Sequence, residues 1–340
     1  MKSVLITPEG IQKNLKNIKP LDAICEYIWN GFDAFATQVE VELNRNKMGL
    51  INMITIRDNG CGINYDELKY KFQPFNDSKK ANASQKTNHT LPHGRKGIGR
   101  LTFFAFSQMA RWDTVYRKDG DTYEYYISMN KDSLNQYDDN GEKLPCKVEK
   151  LTGTKVSFTQ LESMEKEDII NKIKEEFFWF LELNKENDYK IIVDKEYIDY
   201  SDFVEHTENM DVSKYGCKET YDVRFVQWKQ KLGNEYSRIY YLGSDNKERY
   251  KETTKLNKRA DHFFHSVYIK SSYFDDFHFT NEEIEGQGDL FPNKCDDEYK
   301  ILINGINTFL IKYRSRYLKE ASDAYISKLI DDKLYPEFDT

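Results

Sequence analysis

Residues 20–37 read PLDAICEYIWNGFDAFAT. Pro20 suits the first turn of a helix, and Ile24, Ile28, Phe32 and Phe35 recur at helical spacing. Glu26 and Asn30 stand four residues apart and share one face; Asp33 follows a turn later. Three polar groups in line on a helix otherwise lined with Ile, Trp and Phe are either an exposed stripe or one wall of a site. For this helix alone, the exposed stripe is the simpler reading.

The flanking sequence adds further signals. Val39–Leu43 and Leu50–Arg57 read as strands joined by the polar turn Asn44–Gly49. The second strand runs straight into Asp58-Asn59-Gly60-Cys61-Gly62, a tight loop. Gly60 and Gly62 permit positive φ and close backbone approach, with Asp58 held at the strand end, although D-N-G is also a common turn sequence. Asp66–Phe72 reads as a short helix. Residues 74–93 are rich in Asn, Ser, Lys and Thr, and about twenty structureless residues inside a domain mark a lid or disorder. They lead to Gly94-Arg95-Lys96-Gly97-Ile98-Gly99-Arg100, after which Leu101–Met109 reads as a buried helix. Glycines before a helix turn backbone N–H groups toward an anion, and Arg95, Lys96 and Arg100 add positive charge. The pattern suits a polyphosphate, yet it is neither a Walker A loop nor GxGxxG; a hinge with basic solubilising residues is the alternative. Gly153-Thr154 opens a strand over Thr154–Thr159.

Arg111–Arg117 and Thr122–Met129 alternate like a hairpin, and Ser163–Leu183 reads as a helix that Ser163 could cap. Strand candidates follow at Tyr189–Ile198, Thr220–Trp228, Tyr236–Leu242, His265–Ser271 and Tyr299–Asn304, then a long helix over Ile306–Leu334. The texture changes near 160–185, giving an expected first domain over 1–165, a second over 185–310 and a C-terminal helix over 311–340 that leads toward a region beyond this chain. A length of 340 residues suits two domains, and 24 Tyr and 21 Phe support sizeable cores. Fifty basic against 57 acidic residues give a net charge of -7, which argues against a chain-wide nucleic-acid surface but leaves room for a local basic patch. No segment approaches the ~20 apolar residues of a membrane span, and the N-terminus lacks a signal-peptide pattern. Five scattered Cys without CxxC spacing read as the free thiols of a reduced, cytoplasmic protein. His262 and His265 show no metal spacing and read as core or surface; Phe177–Phe180 reads as interdomain packing.

In order, the chain carries E-x-x-x-N-x-x-D-A (Glu26, Asn30, Asp33, Ala34), D-N-G-x-G (Asp58, Gly60, Gly62), a segment ending G-x-x-G-x-G (Gly94, Gly97, Gly99), and G-T (Gly153, Thr154). On these residues, 20–160 resembles the GHKL superfamily of gyrase, heat-shock-90-type chaperones, histidine kinases and MutL. The resemblance implies an α+β fold: a Bergerat-type ATP-binding α/β sandwich, with a mixed sheet and helices on one face, followed by a transducer-like αβ domain. It implies ATP and Mg²⁺ as ligands. Glu26 would be the general base that activates water, Asn30 would bind Mg²⁺, and Asp33 would stand with the nucleotide-side residues. Asp58 would accept the adenine amino group, with Gly60 and Gly62 letting the base lie close. Gly94, Lys96, Gly97, Ile98, Gly99 and Arg100 would surround the phosphates. Thr154 would support Asp58 and a water near adenine.

Asp33-Ala34, and the absence of His from the residues before the first motif, resemble the chaperone, MutL and microrchidia (MORC) branch rather than the kinases. In that branch a basic residue of the second domain reaches the γ-phosphate. Lys255, Lys258 and Arg259 lie in a basic loop there, with a solvated surface as the alternative for each. Two function classes follow. One is an ATP-gated homodimer whose protein client or DNA engages parts outside this chain. The other is a nucleotide-sensing module of a DNA-processing or anti-phage system with little turnover. Val4-Leu5-Ile6 is expected either to cross to a second protomer or to pair in cis as an edge strand.

Overall fold

The computed structural model describes residues 7–72, 99–139, 145–232, 237–257, 261–279 and 292–332. The chain divides into two compact units, Met1–Tyr200 and Ser201–Thr340.

The first unit opens with α1 (Pro8–Asn14), whose N-cap Thr7 accepts from the Gly10 N–H at 3.1 Å, and α2 (Pro20–Asp33), which starts on its proline. β1 (Gln38–Arg45), β2 (Ile51–Asp58) and α3 (Leu68–Phe72) follow. Next come β3 (Ser107–Lys118), β4 (Asp121–Asn130), β5 (Cys146–Val148) and β6 (Gly153–Leu161). The unit ends with α4 (Lys166–Leu183), β7 (Lys190–Val193) and β8 (Glu196–Tyr197). The strands form one sheet in the order β5-β4-β3-β6-β2-β1-β7-β8. β1 and β7 pair in parallel and the other neighbours are antiparallel, so the sheet is mixed.

One row of cross-strand partners shows where the core sits. Val193, Val41, Ile56, Val156, Trp112 and Ile127 lie side by side across six strands, and all are buried. Their sequence neighbours on β1 and β6 are half-buried or exposed, as expected of a sheet with one covered face. α2 covers that face, with Tyr27 4.7 Å from Phe158 between ring centres. α4 packs on α2: the Trp29 ring lies 4.5 Å from Phe177, and Phe32 lies 4.8 Å from Phe180. The Phe177–Phe180 cluster therefore belongs to the interior of the first unit and is not interdomain packing.

Other expectations change as well. The break falls after Tyr200, not within 160–185, because β7 adds to β1 and carries α4 and the β7–β8 hairpin into the first unit. That hairpin turns on Asp194 and Lys195, both at positive φ and neither a glycine. The buried helix expected over Leu101–Met109 is a 3₁₀ helix over Gly99–Ala105 and ends early: β3 starts at Ser107, pinned by its hydroxyl to the Thr159 carbonyl at 2.8 Å. Phe35 lies beyond α2, exposed and at positive φ. α4 starts at Lys166 with Glu165 as its cap, not at Ser163.

The second unit contains β9 (Val204–Met210), β10 (Asp222–Trp228), β11 (Arg238–Leu242), β12 (Glu248–Thr253), β13 (Phe264–Lys270) and α5 (Asp297–Asp331). Its sheet runs β12-β11-β13-β10-β9, with β11 and β13 parallel. The two strands the sequence did not announce, β9 and β12, are its edges, where charged residues suppress further pairing. Val223, Phe225, Ile239, Tyr241, Val267 and Ile269 build a core with Tyr299, Leu302, Ile306 and Leu310 of α5. Tyr299–Asn304 is thus the first part of a helix and not a strand. The buried positions 299, 302, 306 and 310 follow the helical period, which the contiguous Ile301-Leu302-Ile303 obscures. His265 is a core residue: Nε2 lies 3.0 Å from Thr254 Oγ1, Nδ1 lies 3.1 Å from the Phe263 carbonyl, and burial pushes its pKa down to about 4. Among the described residues, no helix is long and apolar enough to cross a membrane.

Candidate nucleotide-binding site

Asp58 closes β2 and is half-buried. Its Oδ1 accepts two backbone N–H bonds, from Gly60 at 2.8 Å and from Thr154 at 3.2 Å. Its Oδ2 receives no hydrogen bond from the described residues in this structure. Burial raises the carboxyl pKa to about 6, against the opposing pull of the two N–H donors. This is a carboxylate taken partly out of water with one acceptor oxygen still to satisfy.

The loop after Asp58 is tied down on both sides. Asn59 Oδ1 accepts from the N–H groups of Thr37 and Gln38 at 2.9 and 3.0 Å, and the Cys61 N–H donates to the Ala34 carbonyl at 2.9 Å. Gly62 sits at φ +73, and a Cβ there would stand 2.1 Å from the Val115 carbonyl oxygen. Gly60 is not in the left-handed region; it matters only for space, since a Cβ would stand 2.5 Å from the Ala34 carbonyl oxygen.

α2 supplies the other wall. A Cβ on Gly31 would meet the Asp58 Cβ at 3.0 Å, so the helix backbone lies directly against the carboxylate. A Cβ on Gly99 would stand 3.1 Å from Glu26 Oε2 and 3.8 Å from Asn30 Oδ1. Five residues of helix separate Glu26 from Gly31, roughly 7.5 Å along the axis. The structure thus brings Glu26 and Asn30 together at Gly99, and Asp58, Gly60 and Thr154 together at the C-terminal end of the same helix. Asp33 is the last residue of α2 and half-buried.

Arg100 is placed differently from the sequence reading. Its Nη2 donates to the Phe72 carbonyl at 2.9 Å and its guanidinium lies 5.7 Å from the Phe72 ring centre. Burial lowers its pKa to about 10. The Thr154 hydroxyl partners Thr114 at 3.1 Å, and it is the Thr154 backbone N–H that reaches Asp58. Gly94, Arg95, Lys96, Gly97 and Ile98 lie outside the described residues, as do Val4–Ile6, the 74–93 segment, Lys258 and Arg259. Sequence reading missed Gly31, Asn59 and Thr114. Gly31 carried a signal, a glycine within a helix where Ala would be favoured; Thr114 carried none.

The Asp58 environment has a measurable consequence. Its folded pKa of about 6 lies above the ordinary 3.8, so the stability this group contributes is full below about pH 4 and is lost as pH rises through about 6. Asp58→Asn keeps an oxygen for the two N–H donors and removes the charge. Without nucleotide it should melt like wild type near pH 4 and a few degrees higher near pH 8. A variant that melts lower than wild type at pH 8 would show that the buried charge is not the cause.

Residues 18–167 match the family described as "Histidine kinase-, DNA gyrase B-, and HSP90-like ATPase". "Putative MutL protein homolog 1" of Schizosaccharomyces pombe is 44% identical over 61 residues, 18% of this chain and 8% of that protein. "Putative type II restriction enzyme HgiDII" of Herpetosiphon aurantiacus is 28% identical over 120 residues, 35% of this chain and 17% of that protein. The chain therefore spans less than a fifth of each of these curated relatives. The ATPase region of Saccharomyces cerevisiae topoisomerase II aligns with a TM-score of 0.38 and 12% identity, over 74% of this chain and 72% of that one. The matched residues 18–167 hold α2, the Asp58 loop and Gly153-Thr154, so the similarity to a GHKL-type ATPase domain covers the whole described site.

Proposed function

We propose that the first unit binds ATP with Mg²⁺ and hydrolyses the γ-phosphate, and that nucleotide binding drives two copies together. The observation that supports this reading is the double use of α2: Glu26 and Asn30 meet Gly99, while Gly31 meets Asp58. One helix thereby spans a base-recognition end and a phosphate end. At the base end, Asp58 Oδ2 accepts the adenine amino group, and the missing Cβ atoms of Gly31 and Gly60 let α2 and the loop pack closely around the carboxylate. At the phosphate end, Glu26 takes a proton from the attacking water. Asn30 offers an oxygen to Mg²⁺, a hard cation that takes few protein ligands and neutralises phosphate charge. Gly94, Lys96, Gly97, Ile98 and Gly99 supply N–H groups and charge around the phosphates, while Arg100, the residue that follows them, is anchored to the Phe72 carbonyl. The free cysteines fit a cytoplasmic setting. The output would be chaperone-like or MORC-like, acting on a protein client or DNA.

A second reading, a nucleotide-sensing module within a DNA-processing or defence system, draws support from the relative described as a type II restriction enzyme. Turnover separates the two. Mg²⁺-dependent phosphate release, together with a shift from monomer to dimer in sedimentation when a non-hydrolysable ATP analogue is added, is the expected result. Tight ATP binding without phosphate release would favour the sensor. No ATP binding at all would overturn both.

A further inference from the structure

We infer that Thr114 is a positioning residue for the base-binding end of the site, acting through Thr154 and the Gly62 loop. The inference rests on the nucleotide reading above. Thr114 lies on β3, 1% exposed, and belongs to none of the sequence motifs. Its Oγ1 accepts from the Ile63 N–H at 2.9 Å, which fixes the residue after Gly62. That leaves one hydroxyl proton and two acceptors within reach: Thr154 Oγ1 at 3.1 Å and the Gly153 carbonyl at 3.4 Å. The nearer is Thr154. When Thr114 donates to it, the Thr154 hydroxyl keeps its own proton to donate elsewhere, on the residue whose N–H already holds Asp58 Oδ1.

The same hydroxyl therefore binds both sides of the pocket: the Gly62-Ile63 loop on one, the Gly153-Thr154 start of β6 on the other. A Cβ on Gly62 would stand 3.2 Å from Thr114 Oγ1, so the loop rests directly on this group. A Thr→Val change conserves the volume but leaves the Ile63 N–H without its acceptor and Thr154 without its partner. The loop then shifts and Thr154 can point its proton at Gly153 or Asp58 instead of the ligand. The affected property is recognition of the base, with the Glu26–Asn30 end untouched.

The experiment compares ATP with purine riboside 5′-triphosphate, which lacks the exocyclic amine, by calorimetry on the full chain. Wild type should prefer ATP. Thr114→Val should lose on the order of tenfold in ATP affinity and most of that preference, and Thr114→Ser should restore both. Thr154→Val, which leaves the Ile63 N–H its acceptor, should lose part of the affinity and of the preference, and the double variant should fall short of the sum of the two, since they share the Thr114–Thr154 bond; this arm also stands if Thr114→Val folds poorly. A wild-type ATP preference in Thr114→Val or in Thr154→Val, whatever the melting temperature, overturns the inference. Wild type that binds ATP and the analogue equally overturns the Asp58 reading beneath it, a distinguishable failure.

Discussion

Asp58→Ala is expected to abolish ATP binding in a protein that still folds. The carboxylate accepts the adenine amine in a charge-assisted hydrogen bond, worth on the order of 1.5–3 kcal/mol, or about 10–100-fold in affinity. The loss should exceed this, because Oδ1 also holds the N–H groups of Gly60 and Thr154 and the pocket loses both anchors with it. Asp58→Asn separates the two effects. It retains an oxygen for the anchors and, with its amide nitrogen in the Oδ2 position, presents a donor to a donor. It should therefore also fail to bind ATP, with the loop intact. GTP should bind wild type weakly, since its base offers a carbonyl where adenine offers the amine. Calorimetry showing wild-type ATP affinity in Asp58→Ala would remove Asp58 from the base site.

The second large effect is at the other end of α2. Glu26→Ala should keep ATP binding and lose hydrolysis by about 10²–10⁴-fold, the range for removing a general base. Glu26 stands beside Gly99, where the phosphate chain is proposed to lie, and its carboxylate acts on water rather than on the bound nucleotide. Glu26→Gln should behave alike, since the amide keeps the shape and cannot take the proton. Phosphate release under saturating Mg²⁺-ATP, with affinity measured separately, reads the two quantities apart. Wild-type turnover in Glu26→Ala would make Glu26 a structural helix residue and strengthen the sensor reading.

Local patterns announced much of the first unit. α2 was legible from its proline start and apolar spacing, and the β3–β4 hairpin from Asp119-Gly120, both at positive φ. β1 and β2 were legible from alternation and a polar turn. The ordered motifs placed Glu26, Asn30, Asp58 and Thr154 in one region before any geometry was known. Where the patterns failed, two signals competed: the apolar run of α5 resembles a strand over six residues and a helix only over twelve, and β9 and β12 are edge strands whose charges hide their period.

The residue types of the site, and the helix that carries half of them, are written in the local chain because helical period and glycine chemistry act within a few positions. The rest depends on contacts between distant segments. β7 belongs to the first sheet because Ile191 and Val193 find β1 some 150 residues earlier. Gly31 matters only because Asp58 is packed against it, and Thr114 only because Ile63 of the loop after β2 and Thr154 of β6 arrive at its hydroxyl. No local period encodes such meetings: burial of the shared sheet face brings these segments together, and only then do a helical glycine and a strand threonine acquire a role.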